Sequence, residues 1–268
     1  MTHSLTRRTT RFAGKTALIT GASSGIGESM AHLLAAQQCH LILVARRLSR
    51  LESLRDKLVQ QHGIKVEIIA ADLLVPGAAQ QVFNETVNRG LRVDVLINNA
   101  GFGKNGDFLE VPLESHTQMI QLNITALTEM TYLFAEAMKH QGGGDILQVA
   151  SIAAFMPTPS FSTYGAGKAY VLNFSEALSR ELKPHNIRVT ALCPGGTLTE
   201  FMDVSGQQIT GLRTKAMMTS ESVAKAGLKA LEKGHSAIVP GWLYKVSIAS
   251  LRLIPRSLQA RLAEDAMR

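Results

Sequence analysis

The stretch "TALITGASSGIGESM" (residues 16–30) decides the fold. Its first five residues form a short apolar, β-rich run. A turn carrying Gly21, Gly25 and Gly27 follows, and then the helix-forming "ESMAHLLAAQQ". A strand that ends in glycines and opens a helix brings backbone very close to a ligand and aims unpaired N–H groups at it, which suits a pyrophosphate. The spacing is G-x-x-x-G-x-G, not the commoner G-x-G-x-x-G. Ser23 and Ser24 add hydroxyl donors, and Ile26, between two of the glycines, completes the candidate set in this turn.

Working outward, the same unit repeats. The apolar runs "HLILVA" (40–45), "KVEIIAAD" (65–72), "VDVLINNAG" (93–101), "DILQVAS" (145–151), "NIRVTALCPGG" (186–196) and "SAIVPG" (236–241) alternate with helical patterns, one of them long, at roughly 113–140. Runs that are continuously apolar rather than alternating predict strands buried on both faces. Strand–helix alternation of this kind predicts an α/β fold: a single doubly wound, Rossmann-type domain with a parallel seven-stranded sheet and helices on both faces. The expected organisation is a flexible lead-in over 1–13, the domain over 14–241 and an amphipathic extension over 242–268. Within the domain, 197–219 ("TLTEFMDVSGQQITGLRTKAMMT") follows a strand's C-terminal end, where ligands bind in open α/β sheets. Its polar, Met-rich mix predicts a mobile cover over an apolar substrate.

Composition excludes other classes. The chain has 268 residues, 46% hydrophobic and 18% charged, with only two cysteines, Cys39 and Cys193. Two thiols beside apolar runs predict a reducing, cytoplasmic setting rather than a disulfide framework. The net charge of +7 is scattered and aromatics are only 5%, which is not the footprint of a nucleic-acid binder; it suits a polyanionic small cofactor better. The eight His form no ligand cluster, and no metal site is expected. "GWLYKVSIASLRLIP" (241–255) is too short and too charged to span a bilayer. It reads either as a helix packed on the domain or as one lying on a membrane surface.

The second strand carries cofactor choice. NAD enzymes of this architecture end it with an acid on the ribose diol, whereas NADP enzymes place an Arg there for the 2′-phosphate. Here it ends "LVARR": Ala45 stands in the acid's place and Arg46 and Arg47 follow. NADP(H) is therefore expected over NAD(H), with Arg46 as the first candidate for the phosphate.

Assembled, these residues resemble a short-chain dehydrogenase/reductase from about residue 14 to 240. "TGASSGIG" (20–27) resembles the family's cofactor turn, and "AADL" (70–73) the segment in which Asp72, followed by Leu73, meets the adenine. "NNAG" (98–101), with Asn99, Ala100 and Gly101, resembles the end of its fourth strand. "PGGTLT" (194–199) resembles its nicotinamide-binding turn, with Pro194, Gly195, Thr197 and Thr199 as contacts. Asn123 sits where the family keeps a catalytic Asn. Ser151, Tyr164 and Lys168 match its catalytic spacing. Gly165 and Gly167 depart from the residues usual around that Tyr, and the sequence offers no account of the pair beyond close packing.

Physical chemistry supplies a reason for "STYGAGKAY" (162–170). An ammonium ~4 Å from a phenolate, at an effective dielectric near ~20, contributes about 4 kcal/mol. That would lower the phenol from ~10 to near ~7, where a general acid/base works best. The resemblance implies that Tyr164 gives a proton to a carbonyl oxygen, Ser151 holds that oxygen, and Lys168 also holds the nicotinamide ribose. Asn123 would position a water that reloads the proton. The expected activity is NADP(H)-dependent hydride transfer between nicotinamide and an apolar carbonyl or secondary alcohol, of fatty-acyl or steroid-like type. The alternative is a non-catalytic NADP-binding regulatory module. The resemblance also implies a homodimer or homotetramer, packed through the helices near 113–140 and 164–183.

Overall fold

A computed structural model describes residues 11–206, 217–251 and 253–267. The seven apolar runs form β1 (Thr16–Thr20), β2 (His40–Ala45), β3 (Val66–Ala70), β4 (Val95–Asn98), β5 (Gly144–Val149), β6 (Ile187–Leu192) and β9 (Ala237–Ile238). They make one parallel sheet in the order β3-β2-β1-β4-β5-β6-β9. A separate two-residue pair joins β7 (Thr197–Leu198) to β8 (Met218–Thr219). The helices are α1 (Gly25–Ala35), α2 (Leu48–His62), α3 (Ala78–Asn88), α4 (Leu113–Ile120), α5 (Leu127–His140), α6 (Ser162–Glu181), α7 (Phe201–Ser205), α8 (Ser220–Lys233), α9 (Trp242–Leu251) and α10 (Arg256–Met267).

Side chains alternate across each strand, so a continuously apolar strand feeds two cores. On one face Ile19, Leu41, Leu43 and Ile97 pack with Met30 and Leu34 of α1, Leu51 and Leu58 of α2, and Leu228 and Leu231 of α8. On the other, Leu18, Ile42, Leu96 and Ile146 meet Val82 of α3 and Met130, Phe134 and Met138 of α5. Full burial of each such side chain contributes ~1.5–3 kcal/mol, which makes the sheet the rigid platform for the loops at its C-terminal edge. The strand order reverses direction between β1 and β4, and the crevice at that point is where such sheets bind ligands.

One expectation changes. The lead-in is shorter: Phe12 is buried in the core, and the Arg11 guanidinium donates to Asp145 at 3.2 and 3.3 Å. Asp145 is fully buried on β5, and Lys15 and Arg188 also donate to its carboxylate, at 3.2 and 2.7 Å. A buried carboxylate requires such partners, so Arg11 and Phe12 belong to the fold. The extension over 242–268 holds two helices, α9 and α10, joined by a short bend, and no side chain of α9 is buried. No described helix is long and apolar enough to cross a membrane. Of the expected cover, 197–206 and 217–219 are described, and the remainder lies outside the described residues.

Candidate active site

The glycine turn is built by exclusion. A Cβ on Gly21 would meet Asn99 Nδ2 at 2.8 Å, and one on Gly27 would meet Asn99 Nδ2 and the Gly21 carbonyl oxygen at 2.5 Å. Asn99 itself donates to the carbonyls of Thr20 and Gly21, at 2.9 and 3.2 Å. Thr20 Oγ1 accepts from the N–H groups of Asn99 and Ala100, each at 3.0 Å. The side chain of Asn99 thus braces the end of β1 against the end of β4. Ser24 is the N-cap of α1 but makes no side-chain cap bond, so no side chain blocks the first-turn N–H groups. An uncapped helix N-terminus above a cradle that no Cβ can enter fits a pyrophosphate. On this evidence the residues fit a dinucleotide.

At the end of β2 the two arginines divide. Arg46 is two-thirds exposed and, among the described residues, its one ion pair is with Asp72, at 3.9 Å. Arg47 reaches across the turn. Its Nη2 donates to Ser23 Oγ at 3.0 Å and Ser24 Oγ at 2.9 Å, and its Nη1 to Glu200 at 2.9 Å. Arg50, one turn along α2, donates to the other Glu200 oxygen. These arginines hold the Glu200 carboxyl well below its usual range, at about 2. Thr199, the residue before Glu200, lies over Gly25. Thr199 and Glu200 are therefore clasped to the glycine turn. Arg50 and Glu200 went unnoticed in the sequence: Arg50 stands three residues after Arg47 on a helix, but Glu200 had no signal at all.

Leu73 is buried with Leu18 and Ile42 on one face of the sheet, and Ile26 is partly buried against the core on the other. Asp72 accepts from the Leu74 N–H at 3.0 Å. At the other end of the crevice the Pro194 carbonyl accepts from Ile152 N–H at 2.9 Å, and Thr197 Oγ1 donates to the Gly195 carbonyl at 2.9 Å. The ring of Tyr244, on α9, lies against Gly195 and Gly196 and leaves no space for a side chain at Gly195.

The four expected catalytic residues converge and are buried: Asn123, Ser151, Tyr164 and Lys168 are each at most 8% exposed. Ser151 ends β5 and caps the 3₁₀ turn Ile152–Phe155, its Oγ accepting from Ala153 N–H at 3.1 Å. Its hydroxyl proton is thereby left to donate elsewhere. Tyr164 and Lys168 lie one turn apart on α6. Between α4 and α5 the long predicted helix widens into a π-helical turn, Gln121–Ala126, with Asn123 inside it. The Asn123 amide is spent on Phe102, accepting from its N–H at 3.1 Å and donating to its carbonyl at 2.8 Å. A Cβ on Gly101 would press on Asn123 Oδ1 at 2.8 Å and lie 3.4 Å from Lys168 Nζ. The aromatic rings of Phe161 and Phe201 flank Tyr164, at 4.7 and 5.4 Å between centroids. Neither was anticipated.

Burial works against the lowered pKa expected of Tyr164. Lys168 Nζ stands over the phenol ring, 5.6 Å from its centroid, and donates to the Val149 carbonyl at 2.8 Å. That bond takes one of the three ammonium N–H donors. Burial dominates instead, pushing Tyr164 up to about 12 and Lys168 down to about 8, while the Ser151 hydroxyl pulls the phenol the other way. At neutral pH the phenol keeps its proton. The glycines of α6 also separate. A Cβ on Gly165 would collide with Thr158 Oγ1, so that glycine is required by packing. One on Gly167 would meet only Ile124 and Asn123 at ordinary distances of 3.8–3.9 Å.

The family model described as short chain dehydrogenase matches residues 15–210. A very-long-chain 3-oxoacyl-CoA reductase of Pyrenophora tritici-repentis is 37% identical over 180 residues, 66% of this chain and 53% of that protein. Human 17-beta-hydroxysteroid dehydrogenase type 3 is 34% identical over 187 residues, 69% of this chain and 59% of that one. The matched stretch thus spans little more than half of those relatives. Among solved structures, a short-chain dehydrogenase from Sphingobium yanoikuyae in complex with NADPH superimposes with a TM-score of 0.80 at 33% identity, covering 92% of this chain and 98% of that one. The bulky-bulky ketone specific alcohol dehydrogenase from Comamonas testosteroni gives 0.76 at 29% identity, over 89% and 92%. The match to the family model alone spans most of the sequence, and the chain belongs to the short-chain dehydrogenase family.

Proposed function

We propose that this oxidoreductase is NADP(H)-dependent and reduces an apolar ketone. The convergence of buried Ser151, Tyr164 and Lys168 at the crevice carries the reading. The β2 end supports NADP(H): the strand ends in Ala45 rather than an acid, and Arg46 and Arg47 follow it, paired in the cofactor-free structure with Asp72 and Glu200. The aromatic walls Phe161 and Phe201 support an apolar substrate, as do the printed names of the reductase, the steroid dehydrogenase and the ketone-specific enzyme above.

The glycine turn, Ser23, Ser24 and the arginines would hold the pyrophosphate and 2′-phosphate end, Asp72 the adenosine, and Pro194–Thr199 the nicotinamide end. When bound, the cofactor supplies a hydride. Tyr164, protonated at neutral pH, gives its proton to the carbonyl oxygen as negative charge develops there. The Ser151 hydroxyl donates to the same oxygen and stabilises it, a contribution that grows in a buried site. Lys168, fixed by Val149, stands ready to hold ribose hydroxyls and to return a proton to the phenolate. With its amide committed to Phe102, Asn123 would act on water through its main chain rather than its side chain. The test is oxidation of NADPH, against NADH, with a panel of aliphatic, acyl and steroid ketones. Turnover with NADPH and the larger apolar ketones supports the reading, and NADH preference or no turnover with any of them refutes it.

A further inference from the structure

The two C-terminal helices show apolar side chains to solvent. On α9, Trp242, Leu243 and Val246 are 72%, 50% and 60% exposed, and Leu253 in the following bend is 89% exposed. On α10 the usual pattern is inverted: Gln259 and Ala263 are buried, whereas Leu258 and Leu262 are about half exposed. This is not a loose end. Gln259 Nε2 donates to the carbonyls of Leu251 and Ile254, both at 2.8 Å, and so fastens α10 to the end of α9 and the bend between them. A helix that turns a polar residue inward and leucines outward needs an apolar partner.

Charge identifies the partner. Lys245, Arg256 and Arg261 are exposed on the same two helices. From 242 to 268 the sequence carries five basic residues (Lys245, Arg252, Arg256, Arg261, Arg268) against two acidic ones (Glu264, Asp265). A second copy docked on this surface by two-fold symmetry would set these cations against like charges. An anionic lipid surface satisfies both features, because apolar side chains and an interfacial Trp enter the headgroup boundary while Lys and Arg meet the phosphates.

We propose that α9 and α10 form a monotopic membrane-docking surface for anionic lipid, placed beside the active site. The inner side of α9 carries Tyr244 over the Gly195–Gly196 turn and packs on the 3₁₀ turn that follows Ser151. Resting on the reading of an apolar ketone, this geometry delivers substrate from the bilayer to the crevice.

Trp242 is the sole tryptophan, so its fluorescence reports docking directly. The full chain, without cofactor or ketone, is mixed with phosphatidylcholine vesicles with or without phosphatidylglycerol. The expected result is co-sedimentation and a blue-shifted Trp242 emission with the anionic vesicles only, both weakened by salt. At about 5-fold per cation, Lys245→Glu, Arg256→Glu and Arg261→Glu together reduce partitioning about 100-fold. Leu258→Asp with Leu262→Asp abolishes it, and both variants still oxidise NADPH with a water-soluble ketone. Equal binding to neutral vesicles overturns the proposal, as does no binding. So does a blue shift without lipid that tracks concentration-dependent dimerisation. If vesicles bind but no ketone is reduced, the enzymatic reading fails and the docking surface stands.

Discussion

Raising the pH of the cofactor-free protein separates two accounts of Tyr164. An ammonium aimed at the phenol oxygen would make it a tyrosinate near neutrality. In the structure Lys168 faces the ring and Val149, and burial raises the phenol from 10.0 to about 12. A raised folded pKa means a stabilising contribution that is complete below pH 10 and lost as pH climbs through 12. Two pH units correspond to about 3 kcal/mol. Lys168 has the opposite sign: lowered from 10.5 to about 8, it costs the fold a similar amount below pH 8, relieved as pH rises towards 10.5. Together they predict a gain in stability from pH 8 to 10 and a loss above it. The assay is an ultraviolet tyrosinate titration of wild type minus Tyr164→Phe, with urea unfolding at each pH. At pH 10, where an ordinary tyrosine is half ionised, the difference spectrum is expected to be flat. A tyrosinate signal between pH 7 and 9 in the empty enzyme would refute the burial argument.

Other outcomes follow from single contacts. Gly167→Ala should raise unfolding stability by up to ~1 kcal/mol, since its Cβ finds ordinary space and a helix prefers Ala, while Gly165→Ala, which strikes Thr158, should lower it; urea midpoints of the two variants decide. Ala45→Asp with Arg46→Ala is expected to weaken NADPH ~10- to 150-fold by losing a charge-assisted bond, and to improve NADH; the kcat/KM ratio of the two cofactors measures it, and a shift only with Arg47→Ala assigns the phosphate to Arg47. Glu200→Gln frees Arg47 and Arg50 from a carboxylate. It should tighten NADPH by roughly 2- to 5-fold with little change in melting temperature, because the pairs are solvent-exposed; unchanged or weaker NADPH binding contradicts this.

The sheet was legible because strands covered on both faces carry unbroken apolar runs, and each of the seven runs became a strand in the parallel sheet. Turn chemistry placed the glycine cradle, and spacing along one helix placed Tyr164 beside Lys168. Direction was not legible. A four-residue spacing brings an ammonium near a phenol but does not say which atom it faces, and here the Val149 carbonyl claims it. Contacts between distant segments also left no trace: Glu200 on Arg47, Phe201 on Tyr164 and Tyr244 on Gly195 each join residues far apart in the chain. Gln259, an ordinary polar residue in a helical pattern, gave no warning that it would face inward and its leucines outward.

The central claim is that Tyr164 donates the proton. Its direct test is single-turnover reduction of a ketone by the Tyr164→Phe enzyme, alongside NADPH titration of the same protein. Phenylalanine keeps the ring between Phe161 and Phe201 and removes only the hydroxyl. NADPH affinity close to wild type with a turnover rate at least ~100-fold lower is the expected result. A variant that binds NADPH and turns over at the wild-type rate would contradict the account.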